Sequence, residues 1–152
     1  MNVNLRRACT KDARHLMELL QANYQFDGIP FHAKTIRPAL EKLLSDTSLG
    51  GAWFIEGEGN SAGLVVVTYG YDLELGGRVA TINELYLRPE YRRKGLGNRA
   101  LGLLGNILRQ SGVYTLELQV VRTNTKAFNF YGKVGFRAHD RIPMSKHIDP
   151  AA

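Results

Sequence analysis

The sequence predicts an α/β (α+β) fold in which a mixed, mostly antiparallel sheet of about seven strands is flanked by four helices. Three observations support this prediction. Amphipathic helical stretches alternate with β-rich runs, glycine-containing turns separate several of those runs, and one strand–helix–strand succession predicts a parallel crossover. The 152 residues contain no internal repeat, low-complexity tract or linker. We therefore predict one domain over residues 1–152.

The N-terminal third is expected to contain one strand, over residues 3–8, and two helices. Thr10 can cap the first helix, and a loop at 27–30 (Asp-Gly-Ile-Pro) ends it. Apolar residues recur at helical spacing in both helices. These residues are Ala13, Leu16, Met17 and Leu20 in the first helix, and Ile36, Leu40, Leu43 and Leu44 in the second.

The middle of the chain reads as three consecutive antiparallel strands. The runs Ala52–Glu56 and Ala62–Tyr71 are separated by a turn with two glycines, which predicts a hairpin. Gly76-Gly77 marks the next turn, which leads into the strand Val79–Leu87.

From Gly95 the pattern becomes helical and ends before Gly112. The apolar positions of this helix are Leu96, Ala100, Leu101, Leu104 and Leu108. Four further elements are then predicted, the third and fourth of them short strands. They are the strand Val113–Val121, the helix Thr125–Val134 with Gly135 as its C-terminal cap, and the strands Phe136–Arg141 and Met144–Ile148.

The net charge of +6 and the sequence pI near 9.6 favour an anionic partner, such as nucleic acid, an acidic membrane or a polyphosphate cofactor. The densest basic cluster is Arg88, Arg92, Arg93, Lys94 and Arg99. We find neither a recognition helix nor interleaved aromatics, so we expect no nucleic-acid partner. Without a run of 18 apolar residues or a signal peptide, we expect a cytoplasmic protein with no membrane partner. The single cysteine and the scattered histidines lack metal-ligand spacing, so we expect no metal.

The segment Arg92–Gly97 (Arg-Arg-Lys-Gly-Leu-Gly) joins a strand to a helix and carries the most chemical information. Glycines at 95 and 97 allow close approach of a ligand to the backbone, and the helix start offers free N–H groups. Together with the basic side chains, these groups could cradle a pyrophosphate. Taken alone, the segment is equally compatible with a basic turn that closes a strand–helix junction.

Two motifs together carry a resemblance to a known family. Arg92-x-x-Gly95-x-Gly97, following the strand that contains Asn83–Pro89, resembles the acetyl-CoA signature of the GNAT superfamily of N-acetyltransferases. The later segment Asn124–Phe136 (Asn-x-x-Ala-x-x-Phe-Tyr-x-x-x-Gly-Phe) resembles the second conserved segment of that family. The predicted order of elements is similar along nearly the whole chain, which implies the GNAT fold with splayed strands at the cofactor site.

The resemblance implies acetyl-CoA as the acetyl donor and assigns residues to it. The pyrophosphate would lie on the glycine-rich turn, the pantetheine arm would pair with the preceding strand, and residues of the second motif would contact the arm. The implied cofactor-binding residues are Leu85, Leu87, Arg92, Arg93, Lys94, Gly95, Leu96, Gly97, Asn98, Asn124, Ala127 and Tyr131. Homodimers are common in the family, so a homodimer is possible.

Amine acetylation needs a base, because an alkylamine with a pKa of about 10.4 is protonated at neutral pH, and it needs an acid for the departing thiolate. Our candidate base is Glu84. Strand alternation places it on one face with Ile82, Tyr86 and Arg88. The alternative is a structural partner for an arginine such as Arg78 or Arg122. The resemblance implies Tyr131 as the general acid, and the alternative is a core aromatic residue.

We therefore predict an N-acetyltransferase that moves the acetyl group of acetyl-CoA directly to a primary amine, most simply of a small molecule. A protein lysine or N-terminus is an alternative acceptor. A non-catalytic acyl-CoA-binding or sensing module is an alternative function, which would need the glycine turn but neither Glu84 nor Tyr131. A nucleic-acid-binding protein that exploits the basic surface is the remaining alternative.

Overall fold

A computed structural model describes residues 2–151 of the chain, which divide into two compact units. Unit 1 extends through Gln119 and unit 2 begins at Val120. Unit 1 contains the strands β1 Val3–Arg7, β2 Gly50–Gly57, β3 Asn60–Asp72, β4 Gly77–Leu87 and β5 Thr115–Glu117, and the helices α1 Ala13–Asp27, α2 Ala33–Ser45 and α3 Leu96–Gln110. Unit 2 contains the helix α4 Thr125–Lys133. The mixed α/β class and the four helices are confirmed.

The five described strands form one sheet in the order β1-β2-β3-β4-β5. The first three pairings are antiparallel, and β4 pairs with β5 in parallel. A parallel pair needs a crossover connection, and α3 supplies it between the two strands. The predicted mostly antiparallel sheet with one parallel crossover is therefore confirmed.

The β2–β3 hairpin shows how local sequence sets a turn. Glu58 and Gly59 connect the strands, and both have positive φ angles, 54° and 81°. Two-residue hairpin loops of this kind match the twist of the flanking strands, and glycine adopts the second position without a Cβ penalty.

One face of the sheet packs against α1 and α2. Residues that pair across neighbouring strands share a face, so the partners Phe54–Leu64–Tyr86 and Ala52–Val66 lie together. They form one buried cluster with the apolar stripes of the two helices. The helix residues of this cluster are Ala13, Leu16, Met17, Leu19, Leu20, Leu40 and Leu44.

The opposite face of the sheet is also buried, along Trp53, Ile55, Val65 and Val67. The apolar stripe of α3 is buried as well, and α3 contacts β1. Helices on both faces explain why β2 and β3 are continuous apolar runs rather than strictly alternating ones.

A β-bulge in β4 interrupts the predicted alternation of side chains between the two faces of the sheet. Val66 pairs with Glu84 while Val67 pairs with Ile82, so Asn83 is an extra residue in the ladder. Since Val66 and Val67 point to opposite faces, Glu84 and Ile82 do too. The prediction that these two residues share a face was wrong, whereas Glu84 and Tyr86 do share one.

The predicted C-terminal strands are the main difference from the structure. β5 covers only Thr115–Glu117 of the predicted Val113–Val121, and residues 120–151 form no strand, so the described sheet has five strands rather than seven. A strand needs a hydrogen-bonded neighbour and a buried face. Ile142, Met144 and Ile148 are exposed, and Pro143 lacks an N–H for a ladder.

The start of α1 differs in detail. Thr10 opens a 3₁₀ turn, Thr10–Asp12, and Asp12 is the residue that precedes the helix.

Gly63 offers a test of the β3–β4 pairing. A Cβ at this position would overlap the Tyr86 carbonyl oxygen of the neighbouring strand. We expect Gly63→Ala to lower the free energy of unfolding by about 1–3 kcal/mol, because backbone must move to admit the methyl group.

Urea unfolding followed by circular dichroism would measure this change. Gly102→Ala is the matched control, since a Cβ there meets nothing within 4 Å and the position is inside α3. The control should stabilise the fold by about 1 kcal/mol. Equal stability of the two variants would contradict the described register.

Candidate active site

Glu84 is held by two donors on α1. The Asn23 Nδ2 donates to Glu84 Oε2 at 2.8 Å, and the Tyr24 hydroxyl donates to Glu84 Oε1 at 3.1 Å. Asn23 is only 7% exposed, and Glu84 and Tyr24 are half-buried. The carboxylate therefore sits at the inner face of α1, with one hydrogen bond on each oxygen.

Burial controls the acidity of this pair. Desolvation raises the pKa of Glu84 above its ordinary value, Asp27 adds to the rise, and the hydrogen bonds from Tyr24 and Asn23 oppose it. Desolvation and the nearby Glu84 carboxylate raise the pKa of Tyr24. Tyr24 is therefore the protonated donor at neutral pH, and Glu84 is a stronger base than a solvated glutamate.

Arg78 is the alternative predicted partner of Glu84, and it contacts other groups. Its Nη1 donates to the Ser111 carbonyl at 3.4 Å, and its guanidinium lies 4.4 Å from the centre of the Tyr69 ring.

Sequence reasoning missed Asn23 and Tyr24. Asn23 falls on the apolar stripe of α1, three residues after Leu20 and seven after Leu16, and a polar residue there was the available signal.

The edge of β4 opens beyond its short pairing with β5. That pairing runs only from Val79–Thr115 to Thr81–Glu117, whereas β4 continues to Leu87. The Arg88 N–H donates to the Ala62 carbonyl, so Arg88 directs its backbone toward β3. Backbone direction alternates along a strand, so Leu85 and Leu87 direct their N–H and C=O groups toward the edge away from β3, where the Leu87 carbonyl accepts from Arg92.

The glycine-rich turn follows at the end of β4. Arg93 has φ of 61° and Gly95 has φ of 78°, so two residues of the turn adopt the left-handed region. That conformation costs a non-glycine residue roughly 1–2 kcal/mol, which marks Arg93 as a strained position. The strain coincides with a predicted functional turn.

The N–H groups at the start of α3 have no intrahelical acceptor. This helix begins at Leu96, whose side chain is 1% exposed and belongs to the core, so only its backbone can face a ligand. Arg93, Lys94, Gly95 and Asn98 are exposed, and Gly97 is half-buried.

Arg92 makes contacts that the sequence did not predict. Its Nε donates to the Leu87 carbonyl at 2.8 Å, and its guanidinium lies 4.1 Å from the centre of the Phe26 ring and 5.4 Å from that of Tyr86. Arg92 therefore joins the end of α1 to the end of β4 through a hydrogen bond and cation–π contacts.

Unit 2 contains the remaining predicted residues. Asn124 caps α4, because its Oδ1 accepts from the Ala127 N–H at 3.1 Å. Ala127 is half-buried. The Tyr131 ring lies edge-on to Phe130 and Phe136, with ring centres 5.2 and 5.5 Å apart. These contacts fix the ring within unit 2, and the side chain remains half-buried.

No group of three or more His, Cys, Asp or Glu side chains among residues 2–151 could hold a metal ion. No helix in the same range has the length and apolar character needed to cross a membrane.

The chain is similar to known acetyltransferases. Residues 13–136 match the Acetyltransferase (GNAT) family. A spermidine N(1)-acetyltransferase of Thermoplasma acidophilum is 35% identical over 45% of this chain and 43% of that protein. A thialysine N-epsilon-acetyltransferase of Caenorhabditis elegans is 25% identical over 82% of this chain and 76% of that protein. The chain spans less than half the length of the first two curated relatives, at 43% and 44%.

Among solved structures, an integron cassette protein from the mobile metagenome of Cole Harbour Salt Marsh superposes with a TM-score of 0.82 and 27% identity, over 96% of this chain and 91% of that one. The parallel pair of β4 and β5, joined through the glycine-rich turn and α3, agrees with the acetyltransferase class of fold. The chain belongs to the GNAT acetyltransferase family.

Glu84→Gln tests the burial of the carboxylate. Because the folded-state pKa of Glu84 is raised, ionised Glu84 destabilises the fold, and stability is lost as pH rises through that raised pKa. Glutamine cannot ionise, so we expect the melting temperature of the variant, taken relative to the wild type, to be a few degrees more favourable at pH 8 than at pH 4.

Differential scanning calorimetry at the two pH values would measure the difference. Glu90→Gln, which removes a carboxylate at an exposed position after β4, is the matched control. A Glu84→Gln protein that gains more stability at pH 4 than at pH 8 would contradict the raised pKa.

Proposed function

We propose that this protein transfers the acetyl group of acetyl-CoA directly to a primary amine of a small molecule. The observation that carries the proposal is the arrangement of β4. The strand holds a half-buried carboxylate at Glu84, presents an open backbone edge at Leu85 and Leu87, and ends in the strained glycine-rich turn. Family membership over residues 13–136 supports the same activity.

The residues of unit 1 suit acetyl-CoA. A Cβ at Gly95 meets nothing within 4 Å, so the turn is open to a ligand, and exposed Arg93 and Lys94 supply positive charge beside the free N–H groups of α3. We propose that the stretch Arg93–Asn98 holds the pyrophosphate and that Leu85 and Leu87 pair with the pantetheine arm. Arg92 would support this site by holding the Leu87 carbonyl.

When bound, acetyl-CoA supplies an electrophilic thioester carbonyl and a thiolate leaving group. Glu84 would accept the proton that the acceptor ammonium must lose before its nitrogen can form the new C–N bond. Its raised pKa suits a base that works near neutral pH, since proton transfer is most effective when the pKa lies near the working pH.

In unit 2 we propose Tyr131 as the general acid, by its match to the second motif. Its hydroxyl would donate a proton to the sulfur as the C–S bond breaks. Asn124 and Ala127 would contact the CoA arm in addition to their capping hydrogen bond. Transfer is direct, because the only cysteine, Cys9, is exposed in the N-terminal segment and outside both motifs.

The acceptor is proposed from the relatives. The names of the two curated relatives described above specify spermidine and thialysine, which are both small amines. We propose a small primary amine for this chain too, acting in the cytoplasm and without nucleic acid or membrane as partners. We also propose one domain, since the family match crosses the boundary between the two units. A homodimer is compatible with this proposal.

Gly97→Glu tests the cofactor site. Saturation with acetyl-CoA at 100 times Kd should stabilise the wild type by about 2.7 kcal/mol. The variant places bulk and negative charge where the phosphate would lie, so it should lose the ligand-induced rise in melting temperature. A negative charge near a helix N-terminus favours folding, so the variant itself should remain folded.

Thermal denaturation with and without acetyl-CoA would measure the shift. Gly102→Glu carries the same substitution one to two turns further along α3, at an exposed position, and should keep the wild-type shift. A folded Gly97→Glu protein with a wild-type shift would place the cofactor elsewhere.

Tyr131→Phe tests the general acid. The variant keeps the ring contacts with Phe130 and Phe136 and removes only the hydroxyl. We expect kcat to fall by about 10²–10⁴, while the melting temperature and acetyl-CoA affinity change little.

Steady-state release of free thiol from acetyl-CoA would give kcat. Tyr114→Phe, at an 81% exposed tyrosine outside the motifs, is the matched control and should retain wild-type kcat. A wild-type kcat in Tyr131→Phe would assign leaving-group protonation to another group or to water.

A further inference from the structure

We propose that Asn23 and Tyr24 are positioning residues that hold one Glu84 oxygen each and keep this carboxylate ionised and oriented as the base. The proposal rests on the proposed base role of Glu84 and adds α1 to the machinery of proton transfer. Neither residue lies in the two motifs that identify the family.

The helix side of this arrangement is rigid. Asn23 and Tyr24 are adjacent, so they project about 100° apart around α1 and cannot both lie on the core stripe. Asn23 takes the buried position and donates at 2.8 Å, whereas half-buried Tyr24 reaches Glu84 from the edge of the stripe at 3.1 Å. The Tyr24 ring stacks edge-on against Phe31, with ring centres 5.3 Å apart, which restricts its orientation.

The strand side is fixed by the bulge. The Asn83 Nδ2 donates to the Thr68 Oγ1 at 2.7 Å and to the Thr81 carbonyl at 3.2 Å, so the extra residue is held in place. The shift that it creates in the ladder turns Glu84 toward α1, opposite apolar Val66 of β3. Both the carboxylate and its donors are therefore held by the fold before any substrate binds.

The two donors suit a carboxylate better than an amide. An ionised carboxylate only accepts hydrogen bonds, and each of its oxygens receives one here. Glutamine at this position has a single acceptor oxygen, so one of the two donors would have to turn around. The two hydrogen bonds therefore favour the ionised glutamate, which is the form that a base requires, and oppose part of the effect of desolvation.

The charged surroundings act in opposite directions. From α1, Tyr24 donates to Glu84 and the charge of Asp27 acts on it, while the Arg92 guanidinium lies over the rings of Phe26 and Tyr86. Desolvation and Asp27 raise the pKa of Glu84, while the Tyr24 and Asn23 hydrogen bonds lower it. Removing a donor should therefore raise this pKa further and protonate the base at a higher pH.

Tyr24→Phe is the principal test, because it keeps the ring and its burial and removes only the donor. We expect the acid limb of the profile of kcat/KM against pH to move to higher pH. Activity below the limb should fall about tenfold, and the loss should shrink as pH rises. Asn23→Leu, which keeps the branching of the buried side chain at Cγ and removes its N–H donor, should act in the same direction.

A second readout does not depend on turnover. This readout is carboxyl carbon NMR of the protein without ligand, in which the Glu84 signal is assigned by its loss in Glu84→Gln. In Tyr24→Phe and Asn23→Leu, the Glu84 carboxyl should titrate at a higher pH than in the wild type. Tyr71→Phe is the matched control, at a tyrosine that is 73% exposed on the β3 end, and should leave both the profile and the titration unchanged.

Three outcomes separate this proposal from the function on which it rests. If Glu84→Gln depresses the rate most at low pH but both α1 variants keep the wild-type profile and titration, the positioning role is overturned alone. A loss in the α1 variants that is equal at every pH would also overturn it, since a merely structural role would act that way. A wild-type profile in Glu84→Gln would overturn the base role, and this proposal with it.

Discussion

The ladder between β3 and β4 underlies the candidate site, because β4 is both an inner strand of the sheet and the strand that carries Glu84. On one edge β4 is paired with β3 along its whole length, from Gly77 to Leu87. On the other edge its pairing stops at Thr81. The pairing with β3 makes β4 rigid. Because the pairing with β5 stops at Thr81, backbone groups further along this rigid strand are available to a ligand. Preorganised groups on a well-paired element are the usual requirement for an accurate site.

The single irregularity in this ladder has the largest chemical consequence. Without the bulge at Asn83, Glu84 would keep the strict alternation of the strand and share a face with Ile82. The bulge reverses that relation and turns the carboxylate toward Asn23 and Tyr24 of α1. Bulges are frequent beside active sites because they redirect a side chain without breaking the sheet. Half-burial of the Glu84 carboxylate costs desolvation free energy, and its two hydrogen bonds offset part of that cost.

The end of α1 and the end of β4 are also joined through Arg92. Arg92 donates to the Leu87 carbonyl and contacts the rings of Phe26 and Tyr86. A cation therefore lies where β4, the strand of Glu84, leads into the glycine-rich turn. The next residue, Arg93, is strained, because its left-handed backbone conformation is unfavourable for a residue with a side chain. The proposed base, the proposed cofactor turn and the residue that connects them thus lie within one short stretch, Glu84–Asn98.

The sequence by itself determined the elements whose signal is local. The helices with apolar spacing, the Glu58-Gly59 turn and the glycine-rich strand–helix junction follow from side-chain periodicity and from backbone preference, and the structure confirms them. Tertiary structure decided the rest. The bulge at Asn83 depends on the register between two strands, and the contact of Asn23 with Glu84 joins residues 61 positions apart. The strands predicted after Phe136 did not form because a strand exists only with a partner and a buried face, and neither is encoded in its own residues.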